Sequence, residues 1–269
     1  MPEDREPFSS TGVPSYSSIV KISIITCCYN NATTIQNCLE NVLSQDYPDV
    51  EHIVIDGASN DGTMEILKSY APRIAKFVSE PDDGLYNALN RGFALATGDI
   101  VGILHADDEL YSTDVLSRVA RCFEQDGCDL LYGDGVLVSR TNPEKVVRIW
   151  KSGSYRRGKI AHGWLPFHTT IYVTKAWLDK CGGYDEQYRI SSDSDWSIRS
   201  LYDMEPKVSY IPDFLVRMRM GGISNNPRKM IKKWGEDIRI FRAHGLPPYV
   251  AIGGKISRKI PQFIKGLFT

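Results

Sequence analysis

The chain has 269 residues, 42% hydrophobic and 24% charged, with a formal net charge of -1. That length and apolar content supply a continuous core for one large domain, and no run approaches the roughly 18 apolar residues of a membrane-spanning helix. The acidic, Pro/Ser-rich opening MPEDREPFSSTGVPSYSS lacks the apolar stretch of a secretory signal, so residues 1–20 are expected to be a flexible lead-in to a cytoplasmic protein.

From Lys21 to Leu131 apolar runs alternate with segments of helical period, which predicts an α/β fold with a mostly parallel central sheet. KISIITC is the first strand. TTIQNCLENVLSQ follows as a helix with Ile35, Cys38, Leu39 and Val42 on one face. EHIVIDG is the second strand, and the Asp61-Gly62-Thr63 turn opens a helix over TMEILKSY. IAKFVSEP is the third strand. DGLYNALNRGFALATG supplies a helix with Leu85, Ala88, Leu89 and Phe93 inward and Gly98 closing it. IVGIL is the fourth strand, followed by a helix over Ser112–Gln125 and the strand DLLYGD. Beyond that the alternation weakens into mixed strands and loops.

Charge is unevenly placed. From Phe214 onward twelve Lys/Arg face only two acids, Glu236 and Asp237, so residues 226–269 are expected to be a helical, basic extension seeking an anionic partner. Six cysteines without CxxC spacing sit mostly in apolar stretches, as reduced buried thiols do.

The chemistry concentrates in GDIVGILHADDEL, where a buried-looking strand ends in His105, Asp107 and Asp108. Two adjacent carboxylates need a cation or strong hydrogen bonds, and a strand end of this kind is where open α/β sheets bind ligands. The other reading is that both acids lead into the following helix as N-terminal charges.

Five blocks occur in order: ITCCYNNATTIQNCLENVLSQ, HIVIDGASNDGT, EPDDGLYNALNRGFALATGDIVGILHADDEL, GGYDE and SSDSDW. Over residues 21–225 they resemble the family 2 glycosyltransferases of the Rossmann-like GT-A fold. Within that family the chain is similar to bacterial enzymes that build exopolysaccharide and O-antigen repeat units. The resemblance implies a nucleotide-sugar donor, a Mn2+ or Mg2+ cofactor, inversion at the anomeric carbon, and a glycan or polyprenyl-diphosphate-linked acceptor. Asp108 matches the direct metal ligand. Asp107 matches the acid that contacts ribose or metal-bound water, and His105 stands where Asp or Asn is common. Thr26 and Tyr29 match base contacts, Tyr29 by stacking. Asp56 matches the acceptor of a ring N–H, which favours uracil, with guanine as the other possibility. Gly57 departs from the family's second Asp. Gly84 and Asn90 match positions near ribose and diphosphate. Asp193 matches the general base and His168 a residue near the metal or diphosphate. Asp195 is expected to cap its helix, and Trp164 and Trp196 are candidate platforms for the acceptor sugar.

Two other functions stay open at this point. A nucleotidyltransferase would carry a Gly-rich basic loop after the first strand, and TCCYNNATT does not; a noncatalytic sugar-binding protein would not hydrolyse a donor. In the tail, Ile256, Ile260, Phe263, Ile264, Leu267 and Phe268 recur at helical spacing between Lys255, Arg258, Lys259 and Lys265, interrupted by Pro261. That pattern predicts binding to an anionic membrane surface, with packing on the catalytic domain or on a second subunit as the alternative. Nucleic acid is not expected.

Overall fold

The computed structural model describes residues 20–221 and 227–266. The expected alternation is present as β1 (Ile22–Cys28), α1 (Ile35–Leu43), β2 (Val50–Asp56), α2 (Thr63–Tyr70), β3 (Lys76–Ser79), α3 (Leu85–Leu95) and β4 (Ile100–Ile103). All seven residues of β1 are buried. Ile22 and Ile24 join one core cluster with Val42 of α1, while Ile25 and Cys27 join another with Ala88 and Leu89 of α3. This is the period-two division of a strand covered on both faces. Asp61 opens α2 by accepting from the Thr63 backbone N–H at 3.1 Å and its hydroxyl at 2.6 Å. Gly98 does not close α3, which ends at Leu95. It instead lies against β1, where a Cβ would come within 2.6 Å of Ser23 Oγ.

The rest of the chain forms β5 (Glu109–Leu110), α4 (Val115–Asp126), β6 (Leu130–Val138), β7 (Val146–Trp150), β8 (Tyr172–Thr174), α5 (Lys175–Cys181), α6 (Ser192–Ile198), β9 (Val208–Arg219), α7 (Pro227–Ala243) and α8 (Pro248–Gly266). Among the described residues nine strands make one sheet, in the order β3-β2-β1-β4-β8-β6-β9-β5, with β7 on β6. The first four strands are parallel. The second half is mixed: β8 runs antiparallel between β4 and β6, β9 parallel to β6, and β5 and β7 antiparallel to their neighbours. Strand order reverses between β1 and β4, so a crevice opens at their carboxyl ends.

The basic extension packs on the body. Ile240, Phe241, Leu246 and Ala251 belong to the cluster that holds Trp164 and Trp196. A Cβ at Gly254 would fall 2.0 Å from the His162 carbonyl oxygen, and one at Gly163 would fall 1.9 Å from that of Ala251. These two glycines let α8 touch the 3-10 turn Arg157–His162 backbone to backbone. The α8 backbone also continues through Pro261, where the sequence suggests an interruption. The two tryptophans are core residues rather than platforms, donating their indole N–H groups to Ser152 O at 2.7 Å and Gly182 O at 2.8 Å. No helix among the described residues is long and apolar enough to cross a membrane.

Candidate active site

Beyond β4 the chain turns tightly, with the Asp108 N–H donating to His105 O at 2.9 Å. Asp108 is 1% exposed, not the open strand-end acid its position suggests. Its Oδ1 accepts from the Arg219 backbone N–H at 2.9 Å, and its Oδ2 is buried without a hydrogen-bond partner among the described residues. Burial, then the charge of Asp107, pushes its carboxyl well above the usual range. Burial raises Asp107 too, although that side chain reaches solvent. The two acids therefore do not act as helix-leading charges for α4, which begins only at Val115. Among the described residues no three His, Cys, Asp or Glu side chains converge as a metal site.

The same turn presents His105, whose ring centroid lies 5.8 Å from that of His168. Burial holds His105 down to about 4 and lowers His168 as well. His168 Nδ1 is 3.8 Å from Asp193 Oδ2 of α6, beyond hydrogen-bond length. Tyr86 at the start of α3 shares its single hydroxyl proton between Asp193 Oδ1 at 3.2 Å and Ile190 O at 3.0 Å. Burial works against charge on Asp193. The fields of His168, Lys233 and Lys255 with the Ser194 N–H outweigh it and hold the carboxyl below its ordinary value. The structure thus brings His105, His168 and Asp193 together, with Asp107 and Asp108 on the turn that carries His105.

The nucleotide-side residues divide. Tyr29 stands just past β1 with 61% of its surface exposed. Thr26 is fully buried, its hydroxyl 2.9 Å from His52 Nε2, so its side chain serves the core. Asp56 ends β2 with no exposed surface. Its carboxylate accepts from Ser59 N and Oγ, from Ser79 Oγ at 2.7 Å and from Cys28 Sγ at 3.5 Å. The ring N–H expected at Asp56 thus meets acceptor positions already filled. Gly84 precedes α3 at φ 112° and is exposed. Asn90 is engaged elsewhere: its amide donates to Tyr184 O and Glu186 Oε1, both at 2.9 Å, and accepts from Tyr184 N at 2.7 Å. Asn90 holds the GGYDE loop.

The family model for "Glycosyl transferase family 2" matches residues 23–181. A PGL/p-HBAD biosynthesis glycosyltransferase of Mycobacterium bovis is 32% identical over 208 residues, covering 76% of this chain and 78% of that protein. The chain belongs to glycosyl transferase family 2. A glycosyltransferase of Mycobacterium tuberculosis is 31% identical over 194 residues, covering 71% of this chain and 72% of its own. Among solved structures, the mannosyltransferase PcManGT of Pyrobaculum calidifontis, in complex with GDP-Man and Mn2+, aligns with a TM-score of 0.65 at 20% identity, over 97% of this chain and 77% of that one. S. aureus TarS 1-349 in complex with UDP-GlcNAc aligns at 0.61 and 18% identity, over 75% of this chain and 59% of its own. The fold is GT-A.

Several residues of this family 2 glycosyltransferase escape a reading of motifs. Lys233 of α7 and Lys255 of α8 reach over the first turn of α6, donating to Ser191 Oγ at 3.1 Å and Ser194 Oγ at 3.3 Å. Glu236 accepts from the backbone N–H groups of Arg189, Ile190 and Ser191 at 3.2, 2.8 and 3.0 Å, fixing the loop that delivers Asp193. The one available signal was that the basic tail carries two adjacent acids, both of which are buried. Asp195, expected as a helix cap, instead pairs with His244 Nε2 at 3.0 Å and Arg199 at 3.5 Å.

Proposed function

We propose that this glycosyltransferase moves a sugar from a nucleoside-diphosphate donor to a hydroxyl acceptor in one displacement, with inversion at the anomeric carbon and with Mn2+ or Mg2+. What carries the reading is the crevice at the β1/β4 reversal, where an ionised Asp193 stands 3.8 Å from His168, itself against the His105 ring of the acidic turn. Asp193 takes the proton of the acceptor hydroxyl as that oxygen bonds to C1. Tyr86 orients the carboxylate, and the bond from C1 to the donor phosphate breaks on the opposite side. Two hard carboxylates, one with a buried unpartnered oxygen, suit a small divalent cation whose remaining ligands come from substrate phosphates and water. Asp107 and Asp108 would hold that ion, which would neutralise charge developing on the departing diphosphate. His168, beside Asp193, is not needed as a ligand. The structural neighbours in complex with UDP-GlcNAc and with GDP-Man and Mn2+ support the donor class and the metal. Family membership sets aside the nucleotidyltransferase and the noncatalytic binding protein.

The acceptor is read as a glycan or polyprenyl-diphosphate-linked sugar of a surface polysaccharide, met at an anionic membrane face. Supporting this, six of the eight exposed large hydrophobic residues among those described lie on the two C-terminal helices: Met230, Ile231, Trp234, Tyr249, Val250 and Ile256. Leu267 and Phe268 lie outside the described residues, as do the side chains of Ile260, Phe263, Ile264 and Lys265.

The test is incubation with Mn2+ and a panel of UDP- and GDP-sugars, with NMR of the first sugar released to water. The expected result is hydrolysis that EDTA abolishes, yielding the anomer opposite to the donor's. Release with the donor's configuration would overturn inversion, and hydrolysis indifferent to EDTA would overturn the metal.

A further inference from the structure

Position 57 is glycine, although its backbone does not require one: no left-handed φ occurs there. What the missing side chain provides is space. A Cβ at Gly57 would lie 2.7 Å from Asp82 Oδ2 and 3.3 Å from Tyr29 Cδ2. The Asp82 carboxylate and the Tyr29 ring therefore both lie close to a single point, beside the carboxyl end of β2. Asp82 belongs to the loop between β3 and α3 and is half-buried. Its Oδ1 accepts from Gly84 N at 2.9 Å, which leaves that oxygen one acceptor position. Oδ2 has no hydrogen-bond partner among the described residues. Asp56, by contrast, has its acceptor positions taken by Ser59, Ser79 and Cys28.

We infer that Asp82 reads the nucleobase of the donor and selects guanine, with Tyr29 as the stacking platform. The inference rests on the donor being a nucleoside diphosphate. A carboxylate is an acceptor only, and two parallel N–H bonds to it form the strongest neutral-to-charged arrangement it can make. Guanine offers adjacent N1–H and N2–H donors that match this fork. Uracil offers one N–H set between two carbonyl oxygens, so the second carboxylate oxygen would face a like partial charge. Cytosine and adenine present an unprotonated ring nitrogen there and are disfavoured more. The preference for uracil read from the sequence assigned recognition to Asp56; moving recognition to Asp82 changes the base that fits.

The test is calorimetric titration of the full chain with GDP and with UDP in Mn2+. The parent chain is expected to bind GDP more tightly than UDP. Asp82→Asn keeps the bond to Gly84 N but loses the charge and the second acceptor. It should narrow the GDP preference by roughly 10- to 100-fold, the worth of a hydrogen bond to a charged group. Gly57→Ala, which puts a methyl 2.7 Å from the present position of Asp82 Oδ2, should narrow it in the same direction, with a thermal melt confirming that each variant is folded. UDP binding as tightly as GDP, or folded variants that both keep the full preference, would overturn the assignment while leaving the donor class standing. Failure of both nucleotides to bind would overturn the donor reading and this inference with it.

Discussion

Asp193 and Asp108 carry opposite ionisation tendencies for stated reasons, and their substitutions should separate accordingly. Asp193→Asn keeps the shape of a side chain held by Tyr86, so donor affinity should stay while turnover falls by roughly 10²- to 10⁴-fold, the usual worth of a positioned base. A loss of donor affinity with turnover intact would remove Asp193 from that role. Asp108→Asn keeps the acceptor for the Arg219 N–H, so the fold should persist; what should vanish is the rise in melting temperature on adding Mn2+ with GDP or UDP. An unchanged rise would remove Asp108 as a metal ligand. At this scale the sequence was only partly legible. The acidic turn was readable as the end of β4 because its block is short and local. Asn90 and Thr26 were misplaced because a side chain's direction depends on what packs against it: the GGYDE loop captures one and His52 the other. Lys233, Lys255 and Glu236 were invisible because they lie some 40 to 60 residues from the α6 groups they touch.

Among elements, the βαβ half was legible nearly to its ends, since β1 and β4 are fully buried, largely apolar runs and the helices bury one spaced face. The mixed half was not, because β6, β8 and β9 pair across long separations that no local pattern records. One contact between elements has a pH signature. His244, after α7, lies between Asp195 of α6 at 3.0 Å and Asp203 of the π-helical turn Arg199–Asp203 at 2.5 Å. The hydrogen bond to Asp195 foremost, against the opposing effect of burial, raises its pKa above the ordinary imidazole value of 6.5. A group with a raised folded pKa stabilises the fold fully below its unfolded value and loses that contribution as pH rises through the folded one. The urea midpoint should therefore decline as pH climbs from about 6.5, and His244→Gln should flatten that decline. A parent and variant with parallel pH profiles would remove His244 as the cause.

Seen whole, the molecule concentrates exposed apolar surface on α7 and α8, next to the exposed cations Lys232, Arg242 and Lys259. Cutting the chain at Gly254 would also delete Lys255 from beside Asp193, so point variants test the membrane proposal more cleanly. Co-sedimentation of the full chain with anionic vesicles should weaken with salt and fall in Ile231→Ser with Trp234→Ser, while neutral vesicles bind little. Equal binding by parent and double variant, or by neither, would overturn it. The backbone contact of α8 with the 157–162 turn forms only after the other described elements have been synthesised. The loop of Asp193 emerges from the ribosome well before Glu236, Lys233 and Lys255, the groups that fix its position and field. At about 5–20 residues per second, several seconds of synthesis separate Asp193 from Lys255, so this acid acquires its full set of cationic neighbours only when α8 docks.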